Sequence, residues 1–265
     1  MKTTTLNIFY TLLFVIVTGL SAIAQKLPNV QSVGLYAPTG VKVDGKAAEW
    51  GNDFQAYNKG TAVFYTMANN ADNLFLTVKS TDKTAIGKIL GGGLTLTITD
   101  KNKPNGSIDI TTPITTAPSR SNIAQAVGKS ESISDSLLNV LNKSLASNFK
   151  AIKLNGIKAI PDSAISIYND YGIKVAGQLN NHKEYICELT IPLKYLNNPE
   201  AFNYNITLNG VPFQMMTIKP NGQTVSTGPA EAMAGMANVI MDGSPMLELT
   251  SPTDLSGTYT LAKKQ

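Results

Sequence analysis

A mostly β chain, folded as an antiparallel β-sandwich of jelly-roll type with one inserted α-helix near residues 132–149, is what three observations predict. The first is period-two alternation: Leu94, Leu96 and Ile98 alternate with Thr95, Thr97 and Thr99, the repeat of a half-buried strand. The second is turn chemistry, with Asn, Gly and Pro set between many short runs of this kind. The third is an apolar stripe, Leu137, Leu141, Leu145 and Phe149 with Leu138 beside it, whose four-residue spacing suits a helix face.

Along the chain, strands are expected over Ala62–Ala68 and Leu74–Lys79, followed by a short helix over 84–90 that Gly91, Gly92 and Gly93 end. Strands Leu94–Thr99 and Ser107–Thr111 form a hairpin through Pro104, Asn105 and Gly106, because Asn-Gly accepts the required turn. Residues 111–130, rich in Thr, Ser, Pro and Ala, read as a loop leading into the helix. Ser132 and Asp135 give that helix a capping-box-like start, and its stripe is a packing face laid on the sandwich. Further strands are expected over Ile165–Tyr168, Ile173–Leu179, Tyr185–Ile191, Asn203–Asn209 and Thr258–Ala262. That makes about ten strands in all.

The chain has 265 residues, of which 43% are hydrophobic and 15% charged. Its apolar content is enough for a core, and its charge is low against a usual value of about 25%. Residues 1–24 read as a signal peptide: Lys2 opens it, Leu6–Leu20 is largely apolar, and Ala22-Ile23-Ala24 forms a cleavage site before Gln25. The apolar run is shorter than the roughly 20 residues a span needs, so no membrane span is expected after cleavage. No Cys lies near the site, which argues against a lipid anchor. Residues 25–265 are then a single domain, exported to the periplasm or the exterior. The net charge of +4 comes from scattered lysines with one arginine, Arg120, a pattern unlike a nucleic-acid surface.

Catalysis is tested by subtraction. One His (His182) and one Cys (Cys187) cannot build a usual zinc site, and no H-E-x-x-H, G-x-S-x-G or G-x-x-x-x-G-K-S/T pattern occurs. Glu184 and Glu188 share a strand face, but four residues separate them by about 13 Å, too far for a glycosidase pair. The expectation is a non-enzyme. Cys187 falls in register with Tyr185, Leu189 and Ile191 and reads as a buried, inert thiol.

Two binding candidates stand out. Asn69, Asn70, Asp72 and Asn73 form a polar inter-strand turn whose four oxygen-bearing side chains also suit calcium. Tyr168, Asn169, Asp170 and Tyr171 form a turn in which Tyr171 is expected to project from a hairpin tip, offering a ring face and a hydroxyl to a sugar. The alternative folds Tyr171 back over the sandwich edge. The Thr95, Thr97 and Thr99 face is the next surface to consider.

Three segments carry a family resemblance: VDGKAAEW (Val43–Trp50), FYTMANNADNLFLTV (Phe64–Val78) and EYICELTIPLKYL (Glu184–Leu196). Their order resembles family 9 carbohydrate-binding modules and related DOMON-like sandwiches of exported bacterial proteins. It spans roughly Val41–Leu196, with Thr258–Lys264 as a closing strand. The resemblance implies that Asp44, Gly45, Glu49 and Trp50 open the domain as a structural motif, Trp50 plugging one end of the core. It implies a non-catalytic module binding carbohydrate or cell-envelope glycan, and the Thr- and Asn-rich strand faces suit that ligand. Sugar-binding members hold the terminal sugar between two tryptophans, whereas this chain has one. Haem-binding relatives use Met or His; here those are Met67, His182, Met215, Met216, Met233, Met236, Met241 and Met246. The competing expectation is a structural or assembly protein of the envelope making protein–protein contacts, and the third is a haem redox carrier.

Overall fold

The structure is a computed structural model that describes residues 26–51, 53–101, 106–115, 117–129, 132–196, 200–212, 215–218, 224–227 and 245–264. The expected signal peptide (1–24), the hairpin tip at Pro104 and Asn105, and Met233, Met236 and Met241 lie outside the described residues.

The chain is mostly β, with two large antiparallel-rich sheets. The first sheet contains β1 (Leu35–Tyr36), β2 (Ala56–Asn58), β3 (Val63–Asn69), β4 (Asn73–Ser80), β9 (Lys174–Leu179) and β10 (Tyr185–Pro192). Its order is β1-β3-β4-β10-β9, with β2 also on β3, and only β1 runs parallel to its neighbour. The second contains β5 (Leu94–Asp100), β6 (Ser107–Thr111), β7 (Ala151–Asn155), β8 (Ala164–Ser166), β11 (Ala201–Leu208) and β14 (Thr253–Thr260). It is antiparallel throughout, in the order β14-β11-β5-β6-β7-β8. A separate two-stranded sheet joins β12 (Met215–Ile218) to β13 (Thr224–Thr227).

The two sheets differ in how they are covered, and their sequences show why. In β5, β6 and β11 burial alternates, so one face packs inward and the other meets solvent. In β3, β4 and β10 nearly every residue is buried, because both faces of the first sheet are covered. The inward faces of both sheets share one core, in which Met67, Leu76 and Leu189 meet Leu96, Ile110 and Ile206. Tyr65 and Tyr204 join the sheets through a hydroxyl–hydroxyl bond of 2.9 Å, giving each buried phenol a partner. The outer face of the first sheet carries a second apolar cluster of Ala37, Ala47, Trp50, Ala68, Phe75 and Ile186. Trp50 is therefore not a plug at one end of the main core, as expected. It packs against Phe75, ring centroids 6.4 Å apart, on the opposite face of the sheet.

Helices correct the sequence reading most. Four α-helices occur among the described residues, where the sequence reading has the helix near 132–149 and a short one over 84–90. The short helix expected over 84–90 is α1 (Lys83–Gly92), capped by Asp82, whose side chain accepts the Ala85 N–H at 2.8 Å, and ended at Gly93 with φ +87°. The expected loop 111–130 instead contains α2 (Ala117–Lys129). Pro118 does not block it, because a first-turn proline forfeits an N–H that has no helical partner anyway. The helix near 132–149 is α3 (Asp135–Asn148); the residue before it is Ser134, in extended conformation, so Ser132 is not its cap. Leu141, Leu145 and Phe149 are buried and Leu138 packs beside them, but Leu137 is 43% exposed. Strict four-residue spacing drifts around a helix of 3.6 residues per turn, and three steps carry Leu137 off the face. A last helix, α4 (Pro245–Thr250), precedes β14.

Candidate functional site

At one end of the sheets lies an open cleft of about 590 Å³, lined in part by Tyr36, Asn70, Leu193, Glu200, Thr260 and Lys263. Its floor is built around Asn69, the last residue of β3. The Asn69 Oδ1 accepts the Tyr259 hydroxyl (3.0 Å) and the Ala262 N–H (2.8 Å), and its Nδ2 donates to the Ala262 carbonyl (3.0 Å). One amide thus fastens the end of β14 to the end of β3, and pairing of Tyr36 with Asn69 places the Tyr36 ring at the same rim. Asn70 shapes the following turn, its Oδ1 accepting the N–H groups of Asp72 (2.9 Å) and Asn73 (2.7 Å). The Leu193 N–H closes the other wall by donating to the Asp72 carbonyl at 2.7 Å. The polar lining offers an amide, a hydroxyl, the Glu200 carboxylate and the Lys263 and Lys264 ammonium groups.

The structure gathers the four candidate calcium residues in one turn, yet Asn69 and Asn70 each already accept two donors from the chain, filling their amide oxygens. Among the described residues no three His, Cys, Asp or Glu side chains are placed to hold a metal.

The Tyr168–Tyr171 turn is not a hairpin tip. It links β8, an edge of the second sheet, to β9, an edge of the first, so the chain crosses between sheets there. Tyr168 is the projecting ring, 87% exposed, while Tyr171 packs against the main core. The Asn169 side chain is engaged within the loop, its Nδ2 donating to the Ser166 and Ile173 carbonyls and its Oδ1 accepting the Tyr171 N–H. Asp170 lies exposed beside it.

The segment Val43–Trp50 reveals a contact that sequence reasoning missed. Glu188, at the centre of β10, points to the outer face and is only 2% exposed. Its Oε2 accepts the backbone N–H groups of Gly45 (2.7 Å) and Asp44 (3.0 Å). Gly45 is suited to this turn, because its φ of +80° disfavours a side chain and an added Cβ would stand 2.9 Å from the Gln178 nitrogen. Gln178 of β9 completes the grip, donating from Nε2 to the Asp44 carbonyl at 2.8 Å. The Asp-Gly and Glu-Leu-Thr-Ile-Pro segments are therefore two halves of one fastening. Burial pushes the Glu188 carboxyl above its ordinary range; the two N–H donors oppose this, and the charges of Asp44 and Glu49 add to it. A glutamate inside a largely apolar strand, facing away from the core, was the available signal.

The open face of the second sheet is a polar ladder. Asn155, Asp109, Thr97, Asn205 and Ser256 form one transverse row across five strands. Thr95 and Thr111 lie in the next, and Thr99 pairs with Ser107 and Asn203 in a third. Neighbours bond to each other: the Thr97 hydroxyl and Asn155 Nδ2 both donate to Asp109, at 2.8 and 3.0 Å. No protein-family model matches the chain, and no curated protein matches it.

Proposed function

We propose that the chain is an exported, non-catalytic carbohydrate-binding module, a single β-sandwich of jelly-roll type related to family 9 modules, with its glycan seat in the end cleft. The observation that carries this is the cleft itself. Its volume, about 590 Å³, falls within the range of small-molecule sites, and it sets one aromatic ring among amide, hydroxyl and charged groups. A sugar needs that combination: a ring face for its C–H groups and polar atoms for its hydroxyls. The joining of the Asp44–Gly45 turn to Glu188 supports the family relationship, because it gives the shared short segments one structural purpose.

A glycan array with the mature protein tests the reading, followed by titration of the strongest hit against Tyr36→Ala. The expected result is saturable binding that weakens roughly tenfold in the variant without loss of folding, about 1.4 kcal/mol. An array without hits overturns it. Repeating the titration with calcium and then with a chelator tests the Asn69–Asn73 turn.

One observation favours the competing reading of an envelope assembly protein. Leu137 and Val140, one turn apart on α3, are 43% and 63% exposed. A silent array together with an envelope partner that Leu137→Ser/Val140→Ser no longer retains supports that reading instead.

A further inference from the structure

The hydrogen-bonding atoms of the end cleft are unevenly used. The Asn69 side chain is fully engaged: Oδ1 accepts from Tyr259 and Ala262, and Nδ2 donates to the Asn70 and Ala262 carbonyls. Asn70 is engaged at one end only. Its Oδ1 accepts the Asp72 and Asn73 N–H groups, which fills the oxygen and leaves the Nδ2 donor without a partner among the described residues. The turn therefore fixes this amide with its donor end spare.

Lys263 and Lys264 add two exposed ammonium groups that take no part in the ion pairs among the described residues. An ammonium donates and never accepts. The backbone that bears them is anchored, because Ala262 is bonded twice to Asn69 and the Leu261 N–H donates to the Glu200 carbonyl at 3.0 Å. Against these donors stands one lining carboxylate, Glu200; Asp72, in the turn beside Asn70, does not line the cleft. Two lysines against one glutamate give the lining a net charge of +1. A sugar hydroxyl donates and accepts at once and needs no such excess of donors. A group that only accepts and carries negative charge does match it.

We propose that the cleft takes an acidic glycan, a sugar bearing a carboxylate or a sulfate ester, whose anionic oxygens accept from Lys263, Lys264 and Asn70 Nδ2. This narrows the glycan reading of the cleft, on which it rests, to one class of sugar. Glu200 is left to accept from a hydroxyl of the same sugar.

The test is isothermal titration of the full chain with two charged probes, an oligogalacturonate and an oligosaccharide of a sulfated galactan. Each is set against its uncharged twin, the methyl ester and the desulfated form. At least one charged probe should bind roughly tenfold tighter than its twin. That gain should shrink as salt rises from about 0.1 M to 1 M and the Debye length falls from about 10 Å to 3 Å. The probe that shows it separates carboxylate from sulfate. Lys263→Gln/Lys264→Gln should abolish the gain. So should Asn70→Asp, which keeps an oxygen for the Asp72 and Asn73 N–H groups and turns the spare donor into an anionic oxygen. Thermal melts check that each variant folds. Equal affinity for charged and uncharged twins overturns the proposal, as does a lack of binding by both charged probes or a gain that survives in the folded lysine variant. An equal loss in Lys153→Gln, exposed on the open face of the second sheet, marks diffuse attraction and overturns it too. Neutral array hits that weaken in Tyr36→Ala leave the glycan reading standing without the anionic group, whereas a silent array removes both.

Discussion

Trp50 is 6% exposed and lies on Phe75, so its loss leaves a void beneath the Val43–Trp50 segment rather than in the main core. Trp50→Ala should cost about 3–5 kcal/mol in urea unfolding, with the midpoint falling and the slope unchanged. Cys187 shows the same burial put to another use. Burial and the nearby Glu188 charge push its thiol up to about 12, which leaves almost no thiolate at neutral pH. Native protein should resist iodoacetamide near neutral pH and react once unfolded; rapid native alkylation, read by intact mass, contradicts the assignment. The burial of Cys187 was legible in its register with Tyr185 and Leu189. The partner of Glu188 was not, because a carboxylate's role in a buried strand depends on a segment over a hundred residues away.

Elements were legible where the period was clean. β5, β6 and β11 alternate in sequence and in burial, since one face of their sheet is open. Helix α2 was hidden by Ser, Thr and Pro, yet its buried residues Ser119, Ile123, Ala126 and Val127 follow helical spacing. The edge of the first sheet is guarded by α3, where Asn142 exchanges two hydrogen bonds of 2.9 Å with the backbone of Leu179 in β9. The orientation of α3 makes a sharp contrast available. Leu145→Ala should cost about 2–5 kcal/mol, whereas Leu137→Ala should stay within about 0.5 kcal/mol by the same denaturant assay. Equal losses for the two would mean that α3 is rotated about its axis.

For the molecule as a whole, two glutamates on one face pull the pH dependence in opposite directions. Burial alone would raise Glu184, but hydrogen bonds from Lys79 and Asn180 and the charge of Lys79 outweigh it and hold the carboxyl below its usual range. A depressed carboxyl binds its proton more weakly when folded, so its stabilisation is present above the unfolded value and lost as pH falls. Glu188 is raised, so its contribution is complete below the unfolded value and lost as pH rises through the folded one. Thermal melts across pH should therefore trace a dome. Glu188→Gln should flatten its alkaline limb and leave the acid limb, which Glu184 governs, in place; a variant that keeps the alkaline limb contradicts this division.

The fastening of Asp44 and Gly45 to Glu188 closes over 144 and 143 residues of chain. A polypeptide that emerges amino end first presents Trp50 and Phe75 long before Ile186 and Glu188 exist to receive them. A nascent chain halted ahead of β10 holds its indole in water and its contorted loop without a carboxylate to grip. Completion of this face is thus a late event in the life of each copy, and the apolar residues beneath it must be kept from other chains until β10, in the last third of the sequence, has been made.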